Sequence, residues 1–300
     1  MSGSLVSINP PDKSPPASGR ADGALAVRAL RAGDENEVLD FLARRPLHTV
    51  IMAGFVLDNG LESPLNRGSF YGCRGPGGRL EGVGLLGHAT LVEARCPAAL
   101  DALGRFARNL PRPHVIMGEQ EVVARFWHRC AAAGEAPRLS CRALLFEQRL
   151  SAPARGAVTD MRLATPDDLD AVMEVQARMA FEECGVNPLL TDPAGFRERC
   201  RRRVERGRVW VVSSGRRLIF KADVIAETPG AIYLEGVHVR PDRRGRGLGL
   251  DCLSQLGRTL LARAASVCLL VNESRAGARA FYRAAGYEFR CYYETVYPAG

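Results

Sequence analysis

Residues 237–249 read Val-His-Val-Arg-Pro-Asp-Arg-Arg-Gly-Arg-Gly-Leu-Gly. The apolar alternating run Ile232, Leu234, Val237, Val239 predicts a strand that stops at Pro241. After the turn, Leu250, Leu253, Gly257, Leu260, Leu261 and Ala264 recur at helical spacing. The order is therefore strand, glycine-rich turn, helix N-terminus. Unpaired backbone N–H groups and the positive end of the helix dipole make such a turn a receptor for phosphate. Gly247 and Gly249, without side chains, let a ligand approach the backbone.

Several motifs bind phosphate with glycines. A Walker loop ends in Gly-Lys-Ser/Thr, and the only lysines here are Lys13 and Lys221. A dinucleotide fingerprint needs Gly-x-Gly-x-x-Gly and a later acidic residue; the spacing here is Gly-x-Gly-x-Gly. An Arg-Gly patch for nucleic acid is a further alternative. Arg244-x-x-Gly247-x-Gly249, with Pro241 three residues ahead, resembles the pyrophosphate loop of the GCN5-related N-acetyltransferase (GNAT) superfamily. Downstream, the β-branched run Ser266–Val271 predicts a buried parallel strand ending at Asn272. A helix over about 274–285 comes next, closed by Gly286. It carries Ala280-Phe-Tyr282-Arg-Ala-Ala-Gly286-Tyr287, which from Tyr282 onward is similar to the superfamily's Ala-x-x-x-Tyr-x-x-x-Gly-Phe/Tyr segment. Arg275 stands where the superfamily often has a second Asn. The resemblance covers about Thr159 to Pro298.

The resemblance implies acetyl-coenzyme A as acyl donor, no metal, and an amine acceptor, either a small molecule or a protein or peptide. It implies contacts to the coenzyme from Val237, Val239, Arg244, Gly245, Arg246, Gly247, Leu248, Gly249 and Asn272. Asn272 has a second reading as a cap of the next helix. Acyl transfer also needs a base for the amine and an acid for the leaving thiolate. Glu235, flanked by Leu234 and Gly236 in an apolar strand, is the expected base, its pKa raised by desolvation. Gly236 within the strand predicts a bulge that frees a backbone N–H for the thioester carbonyl. Tyr282 is the expected acid. His238 reads as structural or exposed, and Glu182 and Glu183 as a solvated helix face or the lining of a pocket for a cation. A non-catalytic coenzyme A sensor is the alternative from another class.

The rest of the chain frames these motifs. Three hundred residues predict two domains. A hydrophobic content of 46% and a charged content of 25% are those of a soluble globular protein. The net charge of +8 is carried almost wholly by scattered Arg, which argues against a nucleic-acid partner. Nine cysteines without a Cys-x-x-Cys pair predict reduced thiols. No apolar run is long enough to span a membrane, and residues 1–24 lack the hydrophobic region of a signal peptide, so a cytoplasmic protein with a disordered tail is expected. Residues 151–158 predict a linker between a first domain over 25–150 and a catalytic domain over 159–300. Both begin alike: Val27-Arg-Ala-Leu-Arg-Ala-Gly-Asp parallels Met161-Arg-Leu-Ala-Thr-Pro-Asp-Asp. The first has no Arg-x-x-Gly-x-Gly. The expected fold is α/β with a mixed sheet, in two tandem acetyltransferase-like copies, the first degenerate and without cofactor. The whole resembles bacterial two-domain acetyltransferases with a divergent first half.

Overall fold

The computed structural model describes residues 25–153, 156–215 and 217–299. The expected tail, 1–24, lies outside them, as do residues 154 and 155 of the expected linker. The first half runs β1 (Ala26–Ala29), α1 (Glu35–Leu42), α2 (Pro46–Asn59), β2 (Gly68–Arg74), β3 (Leu80–Gly87), β4 (Ala89–Ala94), α3 (Pro97–Ala107), β5 (Val115–Glu119), α4 (Gln120–Cys130) and β6 (Leu139–Gln148). The second repeats the pattern. It runs β7 (Arg162–Leu163), α5 (Leu169–Cys184), a short α6 (Pro188–Thr191), α7 (Pro193–Glu205), β8 (Val209–Ser214), β9 (Arg217–Glu227), β10 (Ile232–Val239), α8 (Leu248–Leu261), β11 (Val267–Asn272), α9 (Ala276–Ala284) and β12 (Glu288–Tyr297).

The twelve strands of the described residues form one sheet, ordered β1-β2-β3-β4-β5-β12-β6-β11-β10-β9-β8-β7. The order is symmetric about its centre, with one exchange. β12, the last strand of the second half, pairs with β5 of the first, and β6 of the first pairs with β11 of the second. β6 and β12 then pair with each other, antiparallel, at the middle. Two parallel contacts, β4 with β5 and β10 with β11, hold equivalent places in the two halves. The sheet thus runs without a break from one half into the other.

Strand periodicity assigns side chains to the two faces. Leu144 and Phe146 of β6, Leu234 of β10 and Leu269 and Val271 of β11 pack under α8 with Leu253, Leu256 and Leu260. Their neighbours Ala143, Leu145, Tyr233 and Cys268 face the other way, onto Val50 of α2. This helix belongs to the first half but lies across the second. A Cβ on Gly54 would come within 2.6 Å of Ala226, so only glycine lets α2 sit this close to β9. At its end Asp58 is held by Arg206 and Arg208.

The strands and helices expected between Ile232 and Gly286 are present, and a Thr165–Asp168 capping box starts α5, with Thr165 N–H donating to the Asp168 carboxylate at 2.8 Å. Gly286 lies just after α9 at φ +87°, the left-handed closure expected of it. The short α6 was not foreseen.

Because each half is completed by the other's last strand, they should unfold together. Trp127 on α4 and Trp210 on β8 report one half each. Fluorescence of Trp127→Phe and Trp210→Phe in denaturant should give coincident midpoints. Phe146→Ala, emptying a side chain with no solvent exposure, should shift both midpoints down together, each reporting a loss of about 3–5 kcal/mol in unfolding free energy. Two separate transitions would contradict this coupling.

Candidate active site

β10 and β11 pair only from Ile232 opposite Val267 to Leu234 opposite Leu269. Beyond that, β11 stays with β6 as far as Asn272 opposite Ala143, while β10 turns away. The turn is the bulge at Gly236. Glu235 lies opposite Asp223 and His238 opposite Lys221, so Gly236 and Val237 share one place on β9. Gly236 has φ +60°. The extra residue resets the phase of the strand, so that Val237 and Val239 pack on the same core as Ile232 and Leu234. That explains an apolar pattern whose spacing changes at Gly236. The separation opens into a cleft of about 460 Å³ that reaches both faces of the sheet, with Ala278 and Tyr282 on the α8 side and Ile51 and Met117 on the α2 side.

Glu235 stands in this cleft, its carboxylate accepting from the Tyr233 hydroxyl at 3.3 Å. Cleft solvent reaches Glu235, yet protein surrounds it deeply. Burial raises its pKa above the ordinary carboxylate range; Arg203 pulls it down, and Glu183 and Asp223 add to the rise. The expected up-shift is there, with more contributors than its flanking residues supply.

Beneath the bulge lies a charge network that the sequence reading missed. Lys221 and Asp223, both without solvent exposure, form an ion pair at 2.8 Å, and Arg203 reaches Asp223 at 2.6 Å. Lys221 also donates to the Gln176 side chain at 2.8 Å. Burial lowers the Lys221 pKa, while Asp223 works to keep it charged. The available signal was two charges, i and i+2, inside the apolar run 218–225, which place both side chains on one strand face.

The glycine turn comes next along the chain. Gly245 and Gly247 have φ +73° and +86°. A Cβ on Gly245 would meet nothing within 4 Å, and one on Gly247 only Asp251, at 3.9 Å. These two therefore bound open space at the start of α8. Gly249 differs: its Cβ would press on Val239 at 2.7 Å, so it serves helix–strand packing. Leu250 N–H makes the first bond back to Gly247, and the N–H groups ahead of it point into the turn. Arg244 Nε donates to the Val239 carbonyl at 2.9 Å. Arg240 and Arg243 pair with Asp242.

Tyr282 enters the cleft from α9, edge-on to Phe281 and Tyr287. Burial first, then Glu183, raises its pKa, against Arg275. Asn272 lies at the end of β11, where its side-chain oxygen accepts from Ser274 N–H at 2.9 Å and from the Ser274 hydroxyl at 2.7 Å. It caps the turn into α9, and its amide NH₂ remains for the cleft. Glu183 is solvent-exposed, as its helix position suggests, but it also lines the cleft with Gln176 and Met179, where the surrounding protein raises its pKa. His238 is buried, which pushes its pKa down to about 4.

The equivalent place in the first half is closed. β4 and β5 also separate after Thr90 opposite Ile116. Only Arg95 and Cys96 join β4 to α3, leaving no glycine turn. Arg45 reaches in, at 3.1 Å from Glu93 and 2.6 Å from Glu119, and the remaining void is about 20 Å³. Beside it, His48, Glu119 and Cys291 bring ligand atoms within 4.8 Å of one another, with Glu119 already held by the Arg45 guanidinium.

Solved structures share the whole architecture. A Drosophila protein aligns with a TM-score of 0.66 at 14% identity, over 91% of this chain and 98% of its own. A GCN5-related N-acetyltransferase from Sphaerobacter thermophilus gives 0.56 at 17%, over 92% and 96%. A tandem GNAT protein from the clavulanic acid biosynthesis pathway gives 0.56 at 17%, over 92% and 99%. The chain has the GNAT fold. Within it, residues 218–296, from β9 to β12, match the FR47-like protein family model. None of the curated proteins matches the chain in sequence. Among the described residues, no helix is long and apolar enough to cross a membrane.

The Gly236 bulge of this GNAT fold yields a direct test. A Cβ there would meet Lys221 Nζ at 2.8 Å and Gln176 Oε1 at 3.0 Å. Left-handed strain adds to the clash. Gly236→Ala should cost about 1–3 kcal/mol in chemical denaturation. Unchanged stability would mean that the bulge does not require glycine.

Proposed function

We propose that the chain is an acetyl-CoA-dependent N-acyltransferase that moves the acyl group directly to an amine. What carries the reading is the meeting of Glu235, Tyr282 and Asn272, from three elements, where β10 and β11 part beside the glycine turn. A sensor would need the turn but not an acid–base pair across the cleft.

The donor fits the open space at Gly245 and Gly247. There the N–H groups of 245–249, with Arg244 and Arg246, would receive its pyrophosphate. Val237 and Val239 would flank its arm, and the Asn272 amide would donate to it. We assign catalysis to residues 159–300 together with β6, which supplies the wall beside β11.

Three groups divide the chemistry. An alkylammonium must lose a proton before its nitrogen attacks, and Glu235, with its raised pKa, takes it. The amine nitrogen forms the C–N bond at the thioester carbonyl, and the bulge at Gly236 offers its N–H to the oxyanion. As the C–S bond breaks, the Tyr282 hydroxyl gives its proton to the thiolate. The second proton, shed by the nitrogen as the intermediate collapses to the amide, returns through cleft water to Tyr282, and the first leaves Glu235 to solvent, so one proton is released overall.

Calorimetry should find one acetyl-CoA site per chain, and Gly247→Val should abolish it by straining the turn and filling the pyrophosphate space. Two sites, or unaffected binding in the variant, would contradict this assignment. Tyr282→Phe keeps the ring contacts and removes the proton. Turnover should then fall by roughly 10² to 10⁴, about 3–5 kcal/mol of transition-state stabilisation, with coenzyme affinity and melting temperature nearly unchanged. Turnover within about threefold of wild type would remove Tyr282 from proton transfer.

A further inference from the structure

The cleft has two unlike walls. On the side of α5 and β10 stand Glu183 and Glu235, both lining the cleft with Arg275 of the adjoining turn, and the Glu183 carboxylate adds to the rise in the Glu235 pKa. The facing wall is supplied by the first half: Ile51 and Phe55 of α2, Leu91 of β4 and Met117 of β5. Ile51, Phe55 and Met117 are only half-buried, although aliphatic and aromatic, because they face the cleft instead of closing on one another. This wall lies on the α2 face, opposite the face of α8 that begins at the glycine turn.

An acetyl group is too small to cover that wall. A hydrophilic amine would leave it in water, although a cleft of about 460 Å³ has room for a larger body. The charge pattern says which reactant brings the apolar part. A cationic head between Glu183 and Glu235 relieves their repulsion, and an uncharged body on the same molecule then reaches α2, β4 and β5. We propose that the acceptor is a small primary amine with an apolar body, and that the closed first half is retained as its selectivity wall. This rests on the acyltransferase reading and names the substrate class for the same cleft.

The test uses the full chain and acetyl-CoA, with thiol release followed for methylamine, butylamine, hexylamine, 2-phenylethylamine, spermidine and a lysine-containing peptide. Along the alkylamines kcat/KM should rise about fourfold per added methylene, the factor for burying one CH₂. Spermidine and the peptide should be poor acceptors. Phe55→Ala should lower kcat/KM for hexylamine about tenfold and leave acetyl-CoA affinity unchanged. If that variant fails to fold, Met117→Ser provides the same comparison, and the wild-type series stands without either. A flat series, or preference for spermidine or the peptide, overturns the proposal. So does a rise that tracks acyl-chain length from acetyl- to octanoyl-CoA with methylamine fixed, which would give the wall to the donor. Coenzyme binding without turnover of any amine also overturns it. Absence of coenzyme binding sinks the acyltransferase reading itself.

Discussion

Nine registered pairs, from Glu288 opposite Glu147 to Tyr297 opposite Leu139, join β12 to β6 at the centre of the sheet. Everything that gives the cleft two walls depends on this contact. Through β12 it carries β5 and β4 on in the same sheet as β6 and β11, so side chains from both halves face one volume. Its register is set by burial on two faces. A shift by one residue would turn Leu144 and Phe146 away from α8 and bring Ala143 and Leu145 beneath it. Glu147, buried in the same strand, fixes one end through Arg149 and Arg290.

The second half was largely legible. β10 is found at the expected bounds, and α8 and β11 within a few residues, because each shows a clean period between turn residues. Gly236 was readable as a bulge since a glycine within a strand has few other reasons to be there. The exchange of β6 and β12 was not legible. The run Ala143–Phe146 signals a buried strand, but burial on both faces is equally satisfied by any pair of neighbours.

The same limit governs the site. Glu235 and Tyr282 lie within motifs, so their position could be read from the local chain. Glu183 does not: an acid near the end of a helix reads as solvated, and only α2 and the strands of the other half turn its surroundings into a cleft. Lys221 and Asp223 were visible as charges in an apolar run, yet Arg203, which completes the network, comes from a helix that reads as a charged surface. Long-range partners decide both cases, and composition carries no trace of them.

The exchange also bears on synthesis. A chain made from its N-terminus completes β6 while both neighbours, β11 and β12, are still untranslated. Leu144, Leu145 and Phe146 must then wait without a sheet, and β5 waits beside an open edge. The last strand closes both halves at once, so the ten residues of β12 act as a late clasp. A chain released short of Glu288 would keep exposed edges on β5 and β6, apolar templates for the same strands in a neighbouring copy.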